Sequence, residues 1–122
     1  MMSDTLLSEI NSTVQSYFLG MHHRDIGLLT QAFHPDAQLF GYLVGEFEKL
    51  SLSQWLDKIS HMPIPSECGE VFSMQIVTID ISGGIANVKV KLLYHGLQFI
   101  DYLSLVEIDS RWLIVNKTFS SQ

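Results

Sequence analysis

The hydrophobic period of this chain changes once. Up to Met62, apolar residues recur every three or four positions; from Val71 onward they recur every second position. Two prolines, Pro63 and Pro65, stand at the change and make a stiff connector. Helices therefore come first and long strands follow. That segregation defines the α+β class, here with N-terminal helices packed in a strongly curved antiparallel sheet, a cone-like fold.

The local signals agree. Ser3 and Asp4 can cap a first helix with a stripe of Leu6, Leu7, Ile10, Val14, Tyr17, Phe18 and Met21. Asp25 caps a second helix through Ile26, Leu28, Leu29, Ala32 and Phe33, which Pro35 stops by forcing His34 out of helical geometry. Residues 37–44 read as a short strand, and Gly41 within it marks a bulge or bend. Ser51 caps a third helix with Leu52, Trp55, Leu56 and Ile59 on one side. Four strands follow, at residues 71–81, 86–92, 97–108 and 112–119. Turns at Ser82-Gly83-Gly84, His95-Gly96 and Asp109-Ser110 separate them. With no repeat and no linker, residues 1–122 read as one domain.

Hydrophobic residues make up 47% of the chain and charged residues 16%, against a usual charged share of about 25%. Such a surplus calls for a lined cavity and a subunit interface. A homodimer through the sheet face is expected, with Tyr102 and Trp112 on the outer face. The net charge of −6, with seven scattered basic residues, argues against nucleic acid. Cys68 is the sole cysteine, so no intrachain disulfide or cysteine metal site can form. No run of apolar residues is long enough to span a membrane. The first residues carry acids and no basic segment, unlike a signal peptide, so a cytoplasmic location is expected. Chelating histidine spacings, Gly-rich phosphate loops and nucleophile motifs are absent, and neither metal nor cofactor is expected.

The order of elements resembles the nuclear transport factor 2-like superfamily, the cone-shaped cystatin-like α+β fold, and within it the SnoaL-like proteins and the group labelled “putative lumazine-binding”. The runs that carry the resemblance are Phe33-His34-Pro35-Asp36-Ala37, Phe99-Ile100-Asp101-Tyr102-Leu103 and Trp112-Leu113-Ile114-Val115-Asn116-Lys117-Thr118-Phe119. It covers nearly the whole chain. It implies the cone fold and a pocket inside it, while the activities it spans run from isomerases, dehydratases and cyclases to non-catalytic binders.

Asp101 is the most informative residue. On a strand it shares a face with Phe99, Leu103 and Leu105, one carboxyl among three large apolar side chains. Turned inward, its pKa should rise, and a neutral acid donates well to a ligand oxygen. Turned outward, the same face packs on another subunit; paired with an internal tyrosine, it is structural. Tyr17, on the buried stripe of the first helix, is either a core tyrosine or a second donor.

By resemblance to ketosteroid isomerase, Tyr17 matches an oxyanion-hole tyrosine and Asp101 a protonated acid, while the general base falls on Gly41, which has no side chain. His34 could supply a base at the pocket mouth or simply close off the helix end. Phe40, Tyr42, Trp55, Phe99 and Leu103 are candidates to line the pocket and stack a flat ligand. The favoured reading is a protein that binds a small apolar or heterocyclic molecule. The alternative is a SnoaL-like cyclase, isomerase or dehydratase using Asp101 with Tyr17 or His34.

Overall fold

The computed structural model of the chain describes residues 2–121. Helix α1 (Met2–His23) buries Ile10, Val14, Tyr17 and Phe18 completely along one stripe. The expected cap by Ser3 and Asp4 rests on side chains outside the described residues. The helix closes where Arg24 takes a φ of 50° and the Asp25 N–H donates to the Gly20 carbonyl at 2.9 Å, a Schellman closure made without glycine. Helix α2 (Ile26–Ala32) starts on Asp25, whose carboxylate accepts from the Leu28 N–H.

Strand β1 (Phe33–Leu43) follows α2 without a loop, so Phe33 and His34, expected to end the helix, are already extended. Pro35 has no N–H to give to a ladder, and it sits where the pairing of β1 breaks register between Phe33 and Gln38. A hairpin through Val44 and Gly45, both at positive φ, leads into β2 (Glu46–Ser51), a strand the hydrophobic pattern did not announce. Helix α3 (Leu52–Ser60) begins with a reciprocal capping box between Ser51 and Gln54 and buries Leu52, Trp55 and Ile59. The Arg24 guanidinium donates to the carbonyls of Ser60 and Met62, tying the ends of α1 and α3 together.

Strands β3 (Met74–Ser82), β4 (Ile85–Tyr94), β5 (Leu97–Ile108) and β6 (Arg111–Ser121) form the expected antiparallel meander. The first of them starts three residues late, because exposed Val71 and Phe72 lie outside the sheet. The sheet order is β2-β1-β6-β5-β4-β3, with β1 and β6 parallel. Register shifts at three places curve it around the helices. No helix among the described residues is long and apolar enough to cross a membrane.

One shift decides which side chains enter the cone. Ser104 pairs with Asn116 but Leu105 pairs with Ile114, so Val115 is an extra residue on β6. Side chains alternate strictly on a strand, so one added residue inverts the alternation. Trp112 and Ile114 point inward before the bulge, and Lys117 and Phe119 point inward after it. Trp112, expected on the outer face, is accordingly a core residue at 3% exposure.

Gly41 is no bulge. It faces Phe119 across the parallel β1–β6 ladder, and a Cβ there would lie 2.1 Å from the Phe119 carbonyl oxygen. Backbone would have to move to admit any side chain. Gly41→Ala is expected to lower unfolding stability by about 1–3 kcal/mol, read by urea denaturation.

Candidate functional site

The open end of the cone encloses a largely apolar cavity of about 210 Å³. Helix α1 contributes Tyr17 and Met21, α3 contributes Trp55 and Ile59, and the sheet contributes Leu92, Phe99, Asp101, Lys117 and Phe119. An ion pair, Lys58 to Glu48 at 2.5 Å, stands among the lining residues.

Three polar groups meet below this apolar wall. The Tyr17 hydroxyl donates to Asp101 Oδ2 at 2.5 Å. Lys117 Nζ stands 4.0 Å from the same oxygen, and Asp101 and Lys117 are exposed by only 1% and 5%. Strand register explains their proximity: Asp101 faces Phe119 and Leu103 faces Lys117, so the two charged residues are diagonal neighbours on adjacent strands. The ammonium lies over three rings, 4.3 Å from the Trp55 centroid, 5.0 Å from Tyr17 and 5.5 Å from Phe119. Such faces attract a cation through the ring quadrupole.

Burial is the largest influence on all three groups. It raises the Asp101 pKa, while Lys117 and the Tyr17 hydroxyl pull the other way. It lowers the Lys117 pKa against the attraction of Asp101 and Glu48. It holds the Tyr17 phenol well above its ordinary value, reinforced by the Asp101 charge. Tyr17 therefore stays protonated and committed to Oδ2, so it is not free to donate to a ligand. Oδ1 of Asp101 is buried with no hydrogen-bond partner among the described residues. A proton on the carboxyl belongs on that free oxygen.

His95, in the turn before Gly96, is a further lining residue. Its φ of 50° turns the chain between β4 and β5, and its Nε2 is buried without a partner among the described residues. The turn is held by Glu70, whose carboxylate accepts from the backbone N–H groups of His95 (3.1 Å) and Gly96 (2.7 Å). Tyr94, edge-on to the His95 ring at 4.3 Å, also lines the cavity; burial pushes its pKa up to about 12.

Of the residues singled out beforehand, Asp101, Tyr17, Trp55 and Phe99 line the cavity. The others do not. His34 lies on β1, where its Nδ1 accepts from the Asp36 N–H at 3.0 Å, a local turn bond at the strand start that keeps it from the pocket mouth. Leu39 and Gly41 take the inward positions of β1, so Phe40 and Tyr42 face out. Phe40 packs under Lys49, and Tyr42, 53% exposed, meets Phe47 edge-on. Leu103 points inward but is packed solid in the core. Lys117 and His95 were missed. A lysine in a run that alternates reads as solvent-facing, and only the Val115 bulge reverses it.

Lys117→Met would leave Asp101 without its cation and raise its folded pKa further above the unfolded value. A raised carboxyl stabilises the fold below its unfolded pKa, and that contribution is lost as pH rises through the folded value. The variant should be less stable than wild type by about 3 kcal/mol near pH 8 and by much less near pH 5, measured by urea denaturation at both.

Residues 6–120 match the model of a family described as “Putative lumazine-binding”. The chain is 26% identical over 110 residues to the aldolase FrzH of Cladobotryum sp, covering 90% of this chain and 86% of that protein. An NTF2-like protein of unknown function from Silicibacter pomeroyi superposes with a TM-score of 0.84 at 21% identity over 100% of both chains. One from Methylobacillus flagellatus gives a TM-score of 0.78 at 26% identity, covering 95% of this chain and 91% of that one. These likenesses fit the cone of curved sheet and enclosed helices.

Proposed function

This chain belongs to the family described as “Putative lumazine-binding”, and from that premise we propose that its cone holds one small, flat, largely apolar molecule by a polar edge. The observation that carries this reading is the pair of buried, unpartnered atoms, Asp101 Oδ1 and His95 Nε2, on residues lining an otherwise apolar cavity. Buried polar atoms left unpaired are costly, and a ligand with matching groups removes that cost. The volume sets the scale. A dry cavity of about 150 Å³ takes a benzene ring, so 210 Å³ suits one ring or a compact fused pair. Trp55 and Phe119 supply faces for stacking, and Asp101 with Lys117 supplies the charged end.

An enzymatic reading is the second. It is supported by a carboxyl and an amine with oppositely shifted pKa values in one cavity, and by the relative named an aldolase. In it Asp101 exchanges the proton and Tyr17 orients Asp101. The isomerase-type base is missing at Gly41, where a side chain collides with Phe119. We also place a homodimer in this proposal, formed through the outer sheet face where Ile85 and Tyr102 stay exposed, and a cytoplasmic location.

Titration with lumazine and, separately, with indole, followed by NMR, tests the binding reading. Resonances of Trp55 and Phe119 should shift in wild type. Asp101→Asn should fold yet bind about tenfold more weakly, as expected for the loss of one charged hydrogen bond. Wild-type spectra unmoved by both probes would sink the reading. The dimer is checked by sedimentation, where wild type should run as a dimer and Tyr102→Glu as a monomer.

A further inference from the structure

We propose that Lys117 is a nucleophile that forms an imine with a small aldehyde or ketone seated in the cavity. This rests on the binding reading and names the chemical class of its ligand. The geometry carries it. Lys117 Nζ belongs to a residue that lines the cavity, and it makes no hydrogen bond to any described residue. A lysine placed only to neutralise Asp101 would sit within hydrogen-bond reach of it, and 4.0 Å is beyond that reach. The amine is instead held among ring faces of Trp55, Tyr17 and Phe119, a setting that strips water from it. Those faces attract the charged ammonium, but burial works against them and favours the neutral, nucleophilic amine, in line with the lowered pKa of Lys117. The remaining lysines, Lys49, Lys58, Lys89 and Lys91, are less buried, and Lys58 is paired with Glu48.

Asp101 completes the proton accounting. With the amine neutral, its carboxyl holds the proton, on the free Oδ1. The Nζ lone pair forms a bond to the carbonyl carbon, and the carbonyl π electrons move to oxygen, which takes the Asp101 proton. Nitrogen returns one proton to the Asp101 carboxylate, which passes it to the new hydroxyl. That hydroxyl leaves as water, and the nitrogen lone pair closes the C=N bond. Overall, one carbonyl, one neutral amine and the protonated Asp101 carboxyl give one protonated imine, one Asp101 carboxylate and one water. Tyr17 keeps its bond to Oδ2 throughout and is a positioning residue.

Benzaldehyde with sodium cyanoborohydride tests this, because hydride converts each imine to a stable benzyl-lysine that peptide mapping locates. At neutral pH, benzylation of wild type should place the larger share of adduct on Lys117, because burial lowers its pKa and frees its amine to attack a carbonyl held in the cavity. Lys117→Arg, which keeps the charge, should fold by circular dichroism and lose the preferred adduct. A parallel NMR titration with benzaldehyde alone separates the two proposals. Shifts at Trp55 without benzylation of Lys117, or benzylation spread evenly over the surface lysines, would overturn the imine and leave the binding reading standing. Neither shift nor adduct would overturn the imine, and the binding reading falls with it where lumazine and indole also leave the spectra unmoved.

Discussion

A carboxyl, an amine and a phenol share one buried corner of this protein, and the rest of the cone is arranged around the cost of putting them there. Removing two charges from water is expensive, and mutual attraction repays it only with good geometry and further hydrogen bonds. Asp101 and Lys117 are 4.0 Å apart, with Tyr17 donating to one carboxylate oxygen and three rings facing the amine. The other carboxylate oxygen stays unpaired. A core optimised for stability alone would have closed that gap or replaced the pair by hydrocarbon. An unfinished polar corner beside an apolar cavity is what a ligand site requires.

The scaffold holds this corner from several sides. The β4–β5 turn at the cavity is pinned by Glu70 from outside the sheet. The end of α1 is tied to the end of α3 through Arg24, which fastens together the two helices that contribute Tyr17 and Trp55. On the far strand pair, Gly41 lets β1 approach Phe119 closely enough for that ring to face the amine. The same glycine removes the position where the isomerase resemblance wants a base. Close packing at the wall and absence of that base are one fact seen twice.

Binding and chemistry differ here by very little. A proton shared between Asp101 and Lys117 leaves the net charge of the pair unchanged wherever it sits, so the site can present an ion pair or a neutral acid and amine without altering its long-range field. On the proposed binding reading, a ligand in the cavity would shift the balance between these forms, because it would change the local dielectric and supply or withhold hydrogen bonds.

The α+β class, the hairpin turns, the caps at Asp25 and Ser51 and the apolar face that Asp101 shares with Phe99, Leu103 and Leu105 were legible in the chain, because each depends on spacing over a few residues; which way that face turns was decided by the tertiary structure. Strand β2 was not, since an edge strand with charged alternation touches too little core to show an apolar pattern. His34, Phe40 and Tyr42 drew attention by residue type, and only pairing direction turned them away from the cavity. Lys117 is the sharpest case. Its local sequence is that of a solvent-facing lysine, and a single extra residue at Val115, defined by how β6 pairs with β5, reverses its direction. Local alternation determined which residues share a face of a strand; the partner strand's register decided where that face breaks, and register is a contact between distant segments that no short window of sequence contains.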